Sequence, residues 1–439
     1  MLSVLADRTY RHLFLAQVVA LLGTGLATVA LGLLAYDLAE GQAGLVLGTV
    51  FAIKMAAYVG IAPIAAAFAD RLPRRTLLVC LDLVRAGIAL LLPFVTEVWQ
   101  VYVLIFLLQS ASAGFTPVFQ AAIPDILTEE DRYTRALSLS RLAYDLENLI
   151  SPMLAAVLLA VVSYHALFIG TVLGFLASAA LVVSVMLPSP VPSTPRGIYD
   201  RTTRGIRIYL ATPRLRGLLA LNLTAAAAGA MVLVNTIVLV RGELGLDESH
   251  VAIVLGVFGG GSMLAALALP RLLDRLQDRP VMIGGAAVLL FALLVLAGVI
   301  EFYRLSLGAL IAAWVLIGIG YSTVLTPAGR LLRQSAHPED RPAVFAAQFA
   351  LSHACWLVTY PLAGWLITTS GPTVALGCLA ALAASGTLLA IVLWPKAEVN
   401  DLEHRHDSLP AGHPHIHDSP SHSHTYVIDD YHPHWPRHN

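Results

Sequence analysis

Long apolar runs are the feature that most limits what this chain can fold into. Each run is long enough to cross roughly 30 Å of hydrocarbon as a helix. The twelve runs fall near 12–37, 45–69, 76–96, 100–122, 138–162, 166–187, 217–240, 251–270, 281–300, 306–329, 343–367 and 373–394. Of the 439 residues, 57% are hydrophobic and only 13% are charged, which excludes an ordinary soluble domain. The sequence predicts an all-α membrane protein with the lipid bilayer as its main partner.

Positive charge is concentrated in alternate loops between these runs. Arginines cluster at 71–75, 132–135, 196–216, 271–279 and 330–341, whereas the other loops contain chiefly Arg241 and Arg304. By the positive-inside rule, the arginine-rich loops are cytoplasmic. Both chain termini are therefore predicted to be cytoplasmic.

A polar, proline-rich segment divides the chain into two similar parts. Landmarks of the first part recur in the same order in the second, at an offset of roughly 205 to 210 residues. They are Asp70-Arg71 with Asp274-Arg275, Thr116-Pro117 with Thr326-Pro327, and Pro152 with Pro361. The predicted organisation is a six-helix half over 1–187, a cytoplasmic linker over 188–216, a second six-helix half over 217–395, and a tail over 396–439.

The loop after the second run carries a recognisable motif. Residues 66–75 read Ala-Ala-Phe-Ala-Asp-Arg-Leu-Pro-Arg-Arg. This segment resembles the signature loop between helices two and three of the major facilitator superfamily, with Ala66 where the family usually has glycine. The resemblance covers about residues 10–395 and implies twelve helices in two pseudo-repeats, with the substrate path between them. It also implies that the loop charges hold one access state closed: Asp70, Arg71, Arg74 and Arg75.

Two ionisable residues of the third run lie one helical turn apart. An ionised side chain at the centre of a membrane helix costs about 2.5 to 3.5 kcal/mol, so it needs a partner or a watery cavity. Asp82 and Arg85 are three residues apart and can neutralise each other. Two interpretations stay open, a structural ion pair and a role in proton coupling or gating.

The fifth run contains the strongest candidates for a transport site, Asp145, Glu147 and Asn148. Together with His353 of the eleventh run, their oxygen and nitrogen atoms could bind a borderline divalent ion. Residues two apart on a helix point about 200° away from each other, so Asp145 with Asn148, or Glu147 alone, is the better ligand set. Pairing between helices is the alternative for the carboxylates, and a buried hydrogen-bonding role is the alternative for His353.

The tail is rich in histidine. Ten of the fifteen histidines follow residue 403, mostly as His-x-His pairs separated by prolines: His404, His406, His413, His415, His417, His422, His424, His432, His434 and His438. Proline excludes a helix, and alternate residues of an extended chain share a face, so each pair can offer two imidazoles to one ion. Imidazole with carboxylate suits Ni, Co, Zn or Cu(II). The predicted tail is disordered and metal-binding; a solvated tail with idle histidines is the alternative.

Twelve helices followed by a histidine-rich tail resemble the bacterial nickel-resistance exporters of the same superfamily. The resemblance implies a secondary transporter of the bacterial inner membrane that exports Ni²⁺, with Co²⁺ as a further substrate, in exchange for protons. The first alternative is a multidrug or siderophore exporter with a regulatory metal-binding tail. The second is a membrane metal sensor that moves no solute.

Several other function classes have no support in the sequence. There is no phosphate-binding G-x-x-x-x-G-K-[ST] segment and no arrangement of a catalytic nucleophile. The prediction is therefore a protein without enzyme activity and without a resident cofactor. The even charge balance also gives no indication of nucleic-acid binding.

Overall fold

The computed structural model consists almost entirely of long helices. It describes the chain except residues 1, 40, 70–72, 128, 130–131, 133–134, 137–138, 141–142, 144–149, 152, 156, 189–197, 338–339, 397–400, 406–420, 429–431, 433–434 and 436–439. The helices are α1 Arg8–Leu38, α2 Ala43–Ala69, α3 Arg74–Leu91, α4 Val98–Ile126, α5 Tyr164–Val183, α6 Ile198–Ala211, α7 Pro213–Ile237, α8 Glu248–Leu273, α9 Asp278–Phe302, α10 Leu307–Leu325, α11 Ala328–Gln334 and α12 Arg341–Leu393. Short 3-10 helices cover Leu2–Ala6 and Leu92–Phe94, and a π-helix covers Val238–Glu243.

Ten helical segments of the described chain are long and apolar enough to cross a membrane. One of them, α12, contains two membrane-length arms that meet at Gly371, where φ is +82°. Glycine tolerates this left-handed backbone, and Pro372 disfavours a helical conformation of the residue before it, so the helix is interrupted there. Counting both arms, eleven of the twelve predicted spans coincide with described helices. The predicted fifth span, 138–162, is described only in part, and its described residues from 150 to 159 are helical.

Local chemistry explains several helix starts. The Asp7 side chain accepts a hydrogen bond from the Tyr10 amide (2.8 Å) at the start of α1, which satisfies one of the unpaired amides of the first turn. Ser306 does the same for Ala309 (3.3 Å) at the start of α10. The seventh helix begins at Pro213 rather than near residue 217, because proline fits the first helical turn without losing a hydrogen bond.

Contacts between helix ends define two faces of the chain. Arginine-rich ends meet at one of them, here called the basic face, where α3 contacts the ends of α4 and α5 and α9 contacts the end of α12. The ends of α1 and α7 meet the starts of α5 and α8 at the opposite face. Large apolar side chains such as Leu90, Phe106, Leu267 and Val392 remain exposed around the outside of the helices. Such a surface is stable only against lipid, so the prediction of a helical membrane protein is confirmed.

The predicted linker contains a helix, α6, which packs beside the start of α12. The guanidinium of Arg204 donates two hydrogen bonds to Asp340 (2.6 and 3.1 Å). The Tyr209 hydroxyl donates to Gln348, and burial raises the pKa of Tyr209. The linker is thus attached to the second half at the basic face.

The described part of the tail contains a small sheet where the sequence predicts disorder. Strands β1 (Asp401–Arg405) and β2 (Ser421–Thr425) pair in antiparallel register. After β2, Tyr426 and Ile428 are buried in the same continuous apolar core as the membrane helices. The two strand segments are short and mostly polar, and neither has apolar residues at helical spacing, so an extended backbone is favoured over a helix.

Candidate functional site

Aromatic side chains line the boundary between α2 of the first half and α12 of the second. Phe51 packs against Tyr360, with ring centroids 4.8 Å apart. Two turns further along α2, Tyr58 contacts Phe349 edge-on at 5.7 Å and His353 at 5.3 Å. These pairs cross from one half to the other, so they lie where the resemblance places the substrate path.

The same row of rings continues into the second half. Trp356 stacks obliquely on Tyr360 at 4.8 Å and meets the edge of Tyr321 at 6.2 Å. Tyr321 in turn contacts Phe258 of α8 at 5.6 Å. We call these side chains the aromatic cluster: Phe51, Tyr58, Phe258, Tyr321, Phe349, Trp356 and Tyr360. Tyr58, Tyr321, Phe349 and Trp356 are only partly buried, so their rings keep surface that a solute can contact.

A close helix approach places Trp356 in this row. A side chain at Gly229 of α7 would collide with the tip of the Trp356 indole and would lie 3.4 Å from the Tyr321 ring. Only glycine lets the α7 backbone come this near. The indole is therefore held between α7, α10 and α12.

His353 lies inside the aromatic cluster. Its ring lies 4.0 Å from that of Phe349, and Nδ1 donates to the Phe349 carbonyl oxygen at 2.6 Å. A carbonyl only accepts, so this bond fixes the proton on Nδ1. Lys54 adds a charge nearby, with Nζ 5.9 Å from the Tyr58 ring centroid.

The predicted ion-binding carboxylates cannot be placed beside His353. Asp145, Glu147 and Asn148 lie outside the residues that the structure describes. Among the side chains that it does describe, no group of three or more His, Cys, Asp or Glu is arranged to hold a metal ion. The ligand set inferred for the core therefore stays a prediction.

The ion pair expected in α3 is present and is buried within the first half. Arg85 Nη2 bonds to Asp82, and the Ser178 hydroxyl of α5 donates to the other carboxylate oxygen at 2.7 Å. The guanidinium lies between the rings of Phe115 (4.3 Å) and Phe175 (4.5 Å). Ser178, Phe115 and Phe175 all belong to the first half. The choice between a structural and a gating role stays a prediction.

The described part of the signature loop makes contacts at the basic face. Arg74 forms an ion pair with Asp125 near the end of α4, and Arg75 donates to the carbonyl of Val183 at the end of α5. Both contacts stay within the first half. Asp70 and Arg71, the other two residues expected to hold an access state closed, lie outside the described residues.

At the opposite face, a charged contact joins the two halves. Arg241 in the π-helix after α7 donates to Asp37 at the end of α1 (3.0 Å), and its guanidinium lies 4.5 Å from the Tyr36 ring. Tyr164 donates to the second oxygen of Asp37 at 2.7 Å, and Glu248 lies 3.7 Å from Arg241. We call this group the opposite-face clamp: Tyr36, Asp37, Tyr164, Arg241 and Glu248.

A helix crossing beside the clamp also closes the opposite face. A side chain at Gly48 of α2 would lie 2.7 Å from the Tyr360 carbonyl and 3.2 Å from Gly364. A side chain at Gly364 would collide with the backbone carbonyl of Gly44. The Leu45 amide donates a hydrogen bond to the Thr368 hydroxyl at 3.2 Å. Backbones pack this tightly only where side chains are missing. The structure is thus closed between α1, α2, α7 and α12 at the opposite face.

The sequence contains a signal for the clamp in the spacing of two opposite charges. Both lie at helix ends, so they do not count as charges within the membrane. Asp37 and Arg241 are separated by 204 residues, almost the offset of the internal repeat. Equivalent helix ends face each other across the axis that relates two pseudo-repeats. Opposite charges at equivalent helix ends therefore indicate a contact between the halves.

Few of the tail histidines fall in described segments. His404, His422 and His424 belong to the two strands. His432 is buried, with its ring 4.7 Å from that of Tyr426. The others lie outside the described residues: His406, His413, His415, His417, His434 and His438.

Comparisons with known proteins agree on one family. The profile of the Major Facilitator Superfamily matches residues 13–300 and 218–415. The uncharacterized MFS-type transporter YfiS of Bacillus subtilis is 24% identical over 213 residues, which are 46% of this chain and 50% of that protein. Macrolide efflux protein A of Streptococcus pyogenes is 26% identical over 152 residues, 32% of this chain and 37% of that protein. The chain thus spans half or less of the length of these curated relatives.

Solved transporters share the fold across nearly the whole chain. A POT family transporter in complex with 5-aminolevulinic acid superposes with a TM-score of 0.70 at 14% identity, covering 89% of this chain and 96% of that one. The nucleoside transporter NupG gives 0.67 at 14% identity, covering 88% and 98%. At this level of identity the likeness shows the fold alone.

Proposed function

Since this chain belongs to the Major Facilitator Superfamily, we propose that it exports amphipathic organic solutes of the macrolide type across the bacterial inner membrane. The observation that carries the proposal is the aromatic cluster at the boundary between α2 and α12. Large apolar surfaces with a few polar groups are typical of sites for organic ligands. The macrolide efflux protein of Streptococcus pyogenes named above is a distant relative and supports the same solute class.

The described side chains of the site provide a large aromatic contact surface, which suits an organic molecule better than a small ion. Stacked and edge-on rings give contact area at little entropic cost, because aromatic side chains have few rotatable bonds. The polar groups among them are hydroxyl, imidazole and ammonium groups: Tyr58, Tyr321, His353 and Lys54. These groups can orient a solute that carries hydroxyl or carbonyl oxygens.

The direction and energy source belong to the proposal. Both termini and the arginine-rich loops are cytoplasmic by the positive-inside rule. The opposite-face clamp and the glycine crossing then close the external side, so this state would admit solute from the cytoplasm. Export is coupled to protons that move in the opposite direction, into the cytoplasm, and this proton antiport supplies the energy for transport.

A transport assay with a matched tryptophan control tests the solute class. Cells that make the chain should accumulate several-fold less radiolabelled macrolide than cells with empty vector. Trp356→Ala should abolish that difference, whereas Trp365→Ala should not, because Trp365 lies on the same arm of α12 but is 51% exposed. Equal membrane abundance, measured by immunoblot, is required of all three proteins. Unchanged export by the Trp356 variant would contradict the proposed site.

Export of a divalent metal, Ni²⁺ or Co²⁺, is the second candidate, and the tail is the observation that favours it. All ten tail histidines are proposed metal ligands that raise the ion concentration near the cytoplasmic entrance. The core ligands would be Asp145, Glu147 or Asn148 with His353. Cellular nickel measured in the same strains decides between the two: lower nickel with unchanged macrolide content would favour metal export.

A further inference from the structure

Where α7 passes the aromatic cluster, it carries only small side chains. Residues 225–230 read Ala-Ala-Ala-Ala-Gly-Ala, and all six are buried. Small residues let the side chains of neighbouring helices come close to a helix backbone. At Gly229 the neighbours are the Trp356 indole of α12 and the Tyr321 ring of α10. The helix thus forms a shallow recess for the outer edge of the indole.

The contact at Gly229 leaves no room for a methyl group. A Cβ placed there would collide with Cη2 of the Trp356 indole, and it would lie 3.0 Å from Cζ3 of that ring and 3.4 Å from Cε2 of Tyr321. An extra methyl group in a well-packed interior forces side chains out of their positions. The atoms that collide are the tip of a side chain and not backbone, so the indole is the group that moves.

A displaced indole would enter the space that a solute can occupy. Trp356 is only partly buried, whereas Tyr360, whose ring centroid is 4.8 Å from that of the indole, is buried. Movement toward Tyr360 is opposed by that packed ring, because close-packed interiors have little spare volume. Movement away from α7 toward the exposed side of the indole meets less resistance. The missing side chain at Gly229 therefore keeps the contact surface of the aromatic cluster open.

We propose that Gly229 sets the size of the solute that the aromatic cluster accepts, by holding the Trp356 indole back against α7. Gly229 is a positioning residue that acts on the solute through the indole. The withdrawn ring favours bulky amphipathic molecules, such as macrolides that carry sugars. The inference rests on the proposed export of organic solutes and adds the residue that determines their size.

The first test compares two solutes that differ in size. Equilibrium dialysis of the purified full-length protein in detergent measures binding of radiolabelled erythromycin and of its smaller, sugar-free aglycone. Gly229→Ala should weaken erythromycin binding roughly tenfold or more and aglycone binding by less than about threefold. Gly298→Ala is the matched control, because a Cβ at this helical glycine of the same half would meet no heavy atom within 4 Å. An equal loss for both solutes would indicate a general packing defect and would overturn the proposal.

A second variant tests whether Gly229 acts through the indole. Phenylalanine at position 356 lacks the outer indole atoms with which the added methyl group collides. In the Trp356→Phe background, Gly229→Ala should therefore weaken erythromycin binding by less than about twofold. A loss as large as in the native background would refute the proposed role of the ring.

Melting temperatures of the native protein, the two single variants and the double variant report the same collision without any solute. Gly229→Ala should lower the melting temperature, and Trp356→Phe should remove most of that decrease, because the two residues are in contact. Failure of the native protein to bind erythromycin would refute the proposed function. Additive changes in melting temperature would instead refute the positioning of the indole by Gly229.

Discussion

The opposite-face clamp gives a quantitative prediction about access. Among the described side chains, two direct contacts of the clamp cross between the halves, the Arg241–Asp37 ion pair and the Arg241–Tyr36 cation–π contact. The Tyr164–Asp37 bond and the Arg241–Glu248 contact each stay within one half. Opening the face therefore breaks the first two contacts and keeps the last two.

The expected magnitudes follow from the exposure of these groups. The Arg241 and Asp37 side chains are 25% and 38% exposed, so their ion pair contributes about 0.2 to 1 kcal/mol. The cation–π contact adds about 0.5 to 1 kcal/mol. Asp37→Asn should shift the closed-to-open ratio by about 1.4- to 5-fold. Arg241→Gln removes both contacts and should shift it by about 3- to 30-fold.

Pulsed electron–electron resonance between labels on the two halves measures this ratio. Thr96→Cys and Arg304→Cys place labels on exposed loops of the opposite face, after the three native cysteines are replaced by Ser. The population at long distance should increase in the order native, Asp37→Asn, Arg241→Gln. Tyr164→Phe is the control and should change little. An unchanged distribution in Arg241→Gln, or a larger effect of Asp37→Asn, would refute the reasoning.

Three further predictions concern packing and pairing. Arg85→Leu leaves the buried Asp82 without its cation and should destabilise the protein by about 3 to 5 kcal/mol; a thermal shift in detergent measures it, and a melting temperature within 1 to 2 °C of the native value would contradict a structural role. Gly364→Val should hold the opposite face open, because its Cβ would collide with the backbone of α2; labels as close as in the native protein would contradict this. Asp340→Asn weakens the bidentate bond with Arg204 at the start of α12, so cleavage in α6 by limited proteolysis should accelerate severalfold, and an unchanged rate would show that α6 is held by other contacts.

Most of the fold follows from one-dimensional signals. Membrane length and apolarity are properties of each run by itself, so eleven described spans match the predicted ones to within a few residues. The linker helix α6 was not predicted, because with 14 residues of mixed polarity it is too short and too polar to stand out as a membrane span. The strands of the tail escaped for a similar reason, since five-residue strands have no signal of their own until they pair.

The candidate site was less predictable than the fold. The presence of ionisable residues within the predicted spans correctly indicated the Asp82–Arg85 ion pair. It also made His353 a candidate site residue. It gave no indication that His353 lies among aromatic rings, because Phe, Tyr and Trp are ordinary residues of apolar helices. Their convergence between α2 and α12 depends on which faces of separate helices meet.

By itself, the sequence determined the membrane environment and the positions of the eleven spans that the structure describes. These properties follow from transfer free energies that add along each segment, whatever its neighbours are. Tertiary structure alone decided which residues join the halves, namely the aromatic cluster, the Gly48–Gly364 crossing and the Asp37–Arg241 pair. Contacts between residues some 200 to 300 positions apart depend on helix rotation and crossing, which local composition does not specify.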